Sequence, residues 1–324
     1  MPTERVFLRG LSGERYGLDA QRAQQRAAPR VRDGGQVVGA RDAAYEGVSD
    51  RSSAQWFIGP GDGSFLTQSI QLHTVEIFPG GANDGHAHQN EALLYVLEGR
   101  GYEIHDGRRY DWEAGDLVVI HADSVHQHFN ADPERRAVGV ITKAKAAWSY
   151  LGLWQQGRPA AFAKDGFGPR EDWAQLWSPG VTAKKKVVKP ADAPWRAASG
   201  GRIRVLSGPG GPEIRAVSVD LSVLEIAPGA RTASHWHMAD EVLYVIAGRG
   251  HGLQWDVEAE IADRYYARVA TEPSRWDVLA GQVLYVPQNT VHQHVNDDPG
   301  EPLTLLSAQN RLFRMLGYDA VVER

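Results

Sequence analysis

Eight of the 12 histidines of this 324-residue chain fall into pairs: His86 and His88, His126 and His128, His235 and His237, His292 and His294. On a β-strand, residues two apart share a face, so each pair projects two imidazoles to one side. Two imidazoles from one strand and a third from a distant strand, gathered inside a barrel, make a divalent-metal site. In the C-terminal half Glu241 follows His237 by four residues and His292 lies on a distant strand. The expected ligands there are His235, His237, Glu241 and His292. In the N-terminal half they are His86, His88 and His126, with Ala92 where the other half has Glu241. Glu91 is one position off, and a one-residue slip turns a strand side chain to the opposite face. A metal with three protein ligands keeps more positions open, as the 2-His-1-carboxylate face does for Fe(II), oxygen and substrate. A neutral three-imidazole set also favours an anionic, bidentate substrate.

Two more histidines are candidate catalytic residues. His128 shares the face of His126, and an ordinary histidine titrates near neutrality, so it can carry a proton. His121 stands where the second half has Pro287. His294 faces with His292, and a histidine beside a metal ligand also serves by bonding a backbone carbonyl. Asn130 and Asn296 read as turn-fixing residues.

The elements that must position these groups are written twice. Pro79–Gly101 aligns without a gap on Pro228–Gly250 at an offset of 149, and Ala114–Pro133 aligns on Ala280–Pro299 at an offset of 166. The second copy has therefore gained 17 residues, much of it within Leu253–Trp276, which carries Tyr265 and Tyr266. Fixed-period self-similarity marks duplication. Short β-branched runs bounded by Gly, Asp and Pro read as strands, and their even spacing predicts a sandwich or barrel in each half. The fold class is all-β: two tandem barrels behind a short N-terminal arm. The expected boundaries are 1–60 for the arm, 61–145 for domain one, 146–200 for a connector and 201–324 for domain two. A helix is expected around Asp19–Ala28. The connector holds Trp148, Trp154, Trp173, Trp177 and Trp195, half of the 10 tryptophans. So much aromatic surface is expected to pack the halves together, to form a contact between copies, or to line a pocket. The run Ala183–Lys189 reads as a solvated face or subunit contact.

Composition removes several classes of function. The net charge of -5 supplies no phosphate-neutralising field, so no nucleic-acid partner is expected. With no cysteine there are no disulfides, thiolate zinc sites, iron–sulfur ligands or cysteine nucleophile. No stretch reaches the ~20 apolar residues of a membrane span, and the N-terminus lacks the apolar core of a signal peptide. The expected location is the cytoplasm, with no membrane partner. Exposed strand edges and the tryptophan-rich connector favour a homo-oligomer.

The pattern Gly-(x)5-His-x-His-(x)3-Glu-(x)6-Gly runs from Gly229 to Gly248, and Gly-(x)5-Pro-(x)4-His-(x)3-Asn fits Gly281, Pro287, His292 and Asn296. These blocks resemble the two signatures of the cupin superfamily, and the whole chain resembles a bicupin over roughly Phe65–Ala144 and Arg204–Leu316. The resemblance implies jelly-roll barrels whose histidines and glutamate bind a divalent metal. The first copy, with His86, His88, Ala92, Glu98, Gly99 and then His126, His128, Asn130, is similar to gentisate 1,2-dioxygenase and its salicylate and hydroxynaphthoate relatives. That likeness implies Fe(II), with Mn, Ni or Zn as the other metals the ligand set accepts. It also implies O2 and a hydroxylated aromatic or related chelating substrate, with His128 beside the metal in hydrogen bonding or proton transfer. The sequence departs from that family at Ala87 and Leu94–Tyr95, where the family carries arginines, and in keeping all four ligands in the second copy. Two alternatives stand beside this reading. One is an enzyme using the three-His-one-Glu set of the second copy, as quercetin dioxygenase-like and oxalate decarboxylase-like bicupins do. The other is a metal- or small-molecule-binding bicupin without catalysis.

Overall fold

The computed structural model describes residues 23, 26–35, 37–38, 47–59, 69–153, 155–159 and 165–324. Each repeat forms a sandwich of a seven-stranded and a five-stranded sheet. In barrel one the larger sheet centres on Ala92–Glu98, flanked by Leu117–Ile120 and Ala137–Lys143, and continues through Gln71–Ile77 and Ser52–Ile58. The smaller sheet carries His86–His88, Ser124–Asn130, Arg100–His105 and Arg108–Glu113. In barrel two the same places are taken by Glu241–Ala247, Val283–Val286 and Leu303–Asn310, and by His235–His237, Thr290–Asn296, Arg249–Trp255 and Ser274–Leu279. The 17-residue gain is accounted for largely by an added exposed hairpin, Val257–Ile261 paired with Tyr265–Val269.

Alternation on the central strands explains where the core sits. Ala92, Leu94 and Val96 face into barrel one, with Val75, Ile120 and Ile141. Leu93, Tyr95 and Leu97 face the other way, into a shared core with Val242, Tyr244 and Ile246 of barrel two. Both faces are therefore buried, which is why ALLYVLE and EVLYVIA read as nearly continuous apolar runs. The slip between Glu91 and Ala92 follows from the same alternation. Ala92 faces the barrel interior, while the buried Glu91 carboxylate turns towards barrel two and accepts bonds from the N–H groups of Val217 (2.9 Å) and Ser218 (2.8 Å). Asp240, the residue matching Glu91, accepts from the Ser69 hydroxyl of barrel one. In each barrel the link between the His-x-His strand and the central strand is thus anchored across the interface. Gly99 and Gly248 make the turn after the central strands at φ 88°, a left-handed conformation that favours glycine.

The segments read as arm and connector are built into the sheets. Val31–Arg32 pairs with the barrel-two strand Val283–Val286, while Val187–Val188 pairs with the barrel-one strand Leu117–Ile120. Each repeat thereby lends a short strand to the other. The lysine-rich run is a solvated face only in its first half: Ala183, Lys184 and Lys185 are exposed, whereas the rest of the run is buried or half-buried. It carries Val187–Val188, Lys189 pairs with the buried Asp116, and Lys186 lies 5.0 Å from the Tyr110 ring centre. Trp195 packs against the shared core between Arg202 and Arg204. Trp177 stacks under Arg215 at 3.8 Å, Trp173 is exposed, and Trp154 lies outside the described residues. Of the helix expected around Asp19–Ala28, residues 23, 26 and 27 are helical and the rest lies outside the described residues, bar a bend at Ala28. No helix among the described residues is long and apolar enough to cross a membrane.

Candidate metal centres

The ligand atoms of His86, His88 and His126 lie within 4.8 Å of one another, as do those of His235, His237, Glu241 and His292. Cross-strand pairing brings the distant histidine in: His126 sits opposite His86, and His292 opposite His235. The backbone sets every ring the same way in both barrels. The Nδ1 atoms of His86, His88 and His126 meet the carbonyls of Asp84 (2.9 Å), Asn90 (2.6 Å) and Ser124 (3.2 Å). Those of His235, His237 and His292 meet the matching carbonyls of Ala233 (3.1 Å), Ala239 (3.0 Å) and Thr290 (2.9 Å). A carbonyl can only accept, so Nδ1 carries the proton and Nε2 is left as the inward lone pair a metal needs.

The groups fit a divalent cation. Glu241 Oε2 and His292 Nε2 are buried without a hydrogen-bond partner, 3.2 Å apart. Buried polar atoms rarely stay unsatisfied, and a cation shared with His235 and His237 would satisfy both. Burial pushes His86 down to about 3 and His235 to about 4, and drives His88 and His126 well below the ordinary value. These imidazoles are therefore neutral, the form that ligates. Burial would raise Glu241, but His237 and His292 hold it well below the usual carboxylate range. Its other oxygen accepts from the Ser307 hydroxyl.

Around the ligands the barrels differ. In barrel one, Glu103 is fully buried opposite His128. One of its oxygens meets His128 Nδ1 and the other lies 3.2 Å from His105 Nε2. Burial would raise this carboxyl, but His128 and His105 bring it down to about 2. His105 is itself buried, with its ring 5.6 Å from that of His121. Barrel two has Gly252 and Gln254 at the matching places. A side chain on Gly252 would strike Leu284, 2.7 Å from the position of its Cβ. His294, the counterpart of His128, is left with a buried, unpartnered Nδ1.

Of the two candidate catalytic residues, His128 lines the barrel-one cavity beside the three ligands. His121 does not. Its Nε2 bonds Asp106 at 3.0 Å, its ring stands edge-on to Trp177, and it reaches the triad's surroundings only through His105. Burial, partly offset by Asp106, lowers it to about 4. Three groups escaped the sequence reading: Glu103, His105 and Lys143. Lys143 lines the barrel-one cavity, and desolvation together with Lys145 pushes its ammonium down to about 7.

The cavities differ too. The void beside the barrel-one triad measures about 20 Å³, with Gly47 and Val48 in its lining. A Cβ on Gly47 would lie 3.0 Å from the His86 ring. The barrel-two ligands open onto about 380 Å³, edged by Val321 and Glu323 near the C-terminus.

A family model of the cupin domain matches residues 73–141, and a second cupin model matches residues 194–313. The chain is a bicupin. Among solved structures, this bicupin is similar to Bacillus subtilis oxalate decarboxylase. One substituted form has 15% identity over 89% of this chain and 79% of that one, with a TM-score of 0.58. Another form, studied for its Mn(II) centres, gives 14% identity at the same coverage and TM-score. It is also similar to salicylate 1,2-dioxygenase from Pseudoaminobacter salicylatoxidans, with 14% identity over 82% of this chain and 77% of that one and a TM-score of 0.57. At these identities the likeness is one of fold. No curated protein matches the chain in sequence.

Proposed function

We propose that this bicupin is a non-heme iron dioxygenase working in barrel one on a chelating substrate, a hydroxylated aromatic or a smaller oxygen chelator, with O2. The observation that carries this reading is the buried Glu103–His128 pair beside His86, His88 and His126. Burying a carboxylate and two imidazoles costs free energy that their pairing offsets only in part, and barrel two, with the same fold, does without Glu103 and His105. Fe(II) held by the three Nε2 atoms would supply the redox chemistry, with Mn, Ni or Zn the other metals these ligands accept.

The chain's own residues then divide the work. The three backbone carbonyls hold the imidazoles in place before substrate arrives. Glu103 accepts from His128 Nδ1–H, which leaves His128 Nε2 facing the cavity to take a proton from a substrate hydroxyl. Ala92 leaves clear the place that Glu241 fills in barrel two. Val75, Ile120 and Ile141 supply apolar walls of the cavity. A void of 20 Å³ holds about one water, so a ring-sized substrate enters only when Gly47–Val48 moves off His86. The partners in this reading are the substrate, O2 and further copies of the chain.

A second reading rests on the larger cavity of barrel two. A void of about 380 Å³ beside His235, His237, Glu241 and His294 would admit a substrate without rearrangement. One experiment separates the two. Iron-loaded protein is screened for O2 uptake with hydroxybenzoates and small hydroxy- or oxo-carboxylates, using the unaltered chain, His126→Ala and Glu241→Ala. Loss of turnover in His126→Ala alone supports barrel one. Loss in Glu241→Ala alone moves the chemistry to barrel two. No uptake with any substrate, with iron bound, sinks the oxygenase reading.

A further inference from the structure

We propose that Lys143 makes barrel one selective for anionic chelators, by pairing its ammonium with a carboxylate of the ligand on the metal. The inference rests on the reading that barrel one holds a metal, and adds to it the charge of the substrate and the residue that selects it.

Lys143 ends the strand Ala137–Lys143, two residues beyond Ile141, so both side chains share the inward face. Both line the cavity of His86, His88 and His126. Its charge bears on two of those rings, His86 and His88, and on the neighbouring His73, and helps to depress all three. No hydrogen bond or ion pair engages it among the described residues. The other charged group that bears on it is Lys145, of the same sign.

The lining is otherwise Gly47, Val48, Ala54 and neutral or imidazole side chains, with no aspartate or glutamate. A divalent ion held by three neutral imidazoles would add two positive charges, and the nearby Glu103 carboxylate, already engaged by His128 and His105, offsets at most one of them. A desolvated cationic pocket of that kind is satisfied by bringing in an anion. The balancing charge must therefore arrive with the ligand: a carboxylate adjoining a hydroxyl, an oxo group or a second carboxylate.

Barrel two is the internal control. The position matching Lys143 is Gln309, whose Nε2 lies 3.3 Å from His237 Nε2. Glu241 supplies the negative charge there, and the cationic Arg314 at the cavity edge is already paired with Asp220 at 2.9 Å. The same scaffold thus carries one centre neutralised from within and one left to be neutralised by its ligand.

The test uses the full chain with barrel two disabled by His235→Ala and His237→Ala, loaded with Co(II), whose visible spectrum reports its ligands. The probes are oxalate, glycolate and ethylene glycol, three two-carbon chelators of charge two, one and none. The expected result is saturable spectral change with oxalate and glycolate and none with ethylene glycol. Lys143→Gln, which installs the residue barrel two carries, should weaken oxalate binding by about 10- to 100-fold, the worth of a charge-assisted bond, at unchanged Co(II) stoichiometry. Lys143→Arg should stay within a few-fold of the parent. Equal oxalate affinity in Lys143→Gln and the parent, with Co(II) bound, overturns the role of Lys143 alone. Tight binding of ethylene glycol overturns the selectivity for anions. Failure of the parent to retain Co(II) overturns the barrel-one metal site and this proposal with it.

Discussion

Barrel one and barrel two place the same three imidazoles on the same strands and clamp each Nδ1 to the same backbone carbonyl, yet surround them with opposite chemistry. Ala92, Ile141 and Lys143 of barrel one correspond to Glu241, Ser307 and Gln309 of barrel two, and Glu103 and His105 correspond to Gly252 and Gln254. Barrel two gives its inward positions to a carboxylate, Glu241, and to the Ser307 hydroxyl that donates to it. Gln254, where barrel one has His105, instead accepts from Arg30 at 3.1 Å, a residue that precedes barrel one in the chain. Barrel one leaves the fourth ligand position apolar and keeps a lysine and a carboxylate–histidine pair nearby. The strands fix the rings. The inward neighbours decide whether a metal there is closed or open to a ligand.

The comparison can be broken most forcefully by making barrel one resemble barrel two. Ala92→Glu with Ile141→Ser should complete a four-ligand set, tighten the metal and reduce turnover by at least ~100-fold, because a position needed by substrate is filled. Metal affinity measured by chelator competition, alongside oxygen uptake, checks both halves of that expectation. Removing the buried carboxylate comes next. Glu103→Gln should lower kcat by roughly 10- to 100-fold with metal content unchanged, since groups behind a histidine typically carry that much. A shifted pH–rate profile would distinguish lost proton handling from lost packing. In barrel two, Glu241→Ala should weaken metal binding by about 10- to 100-fold while leaving turnover within a few-fold. Equilibrium dialysis and steady-state rates on one preparation test it.

The smallest effect concerns His121. The folded chain keeps this ring neutral down to about 4, whereas an unfolded histidine takes up its proton near 6.5. The folded state therefore binds fewer protons between those values. Its stability rises with pH through that window and is lost as pH falls from 6.5 towards 4. His121→Gln should flatten the slope of stability against pH there by up to one proton's worth, about 1.4 kcal/mol per pH unit at most, and the pH dependence of Tm with it. Thermal melts of both proteins at matched metal loading give the comparison.

What was legible in the sequence follows from spacing. His-x-His repeated at fixed offsets identifies two inward faces, and the changed offset locates the Val257–Val269 hairpin. The single-residue displacement of Glu91 from the Glu241 register was enough to turn it from the interior, although nothing in the sequence named Val217 and Ser218 as its partners. Glu103 and His105 were readable in principle, being two apart in GYEIHDG on one strand face. Pairing Glu103 with His128 needed the register of two strands, which one sequence does not supply. Lys143 ends a strand whose other inward residues are apolar, so no pattern of spacing marked it. Val31 and Val187 were hidden for a different reason. Two-residue strands have no periodicity, and their partners lie in the other repeat.

The most direct test compares His126→Ala with His292→Ala for iron content and for substrate-dependent O2 uptake, after anaerobic purification and iron loading. The account predicts that each variant loses one of two metal ions per chain, while only His126→Ala loses turnover. Turnover that survives in His126→Ala and disappears in His292→Ala would contradict it.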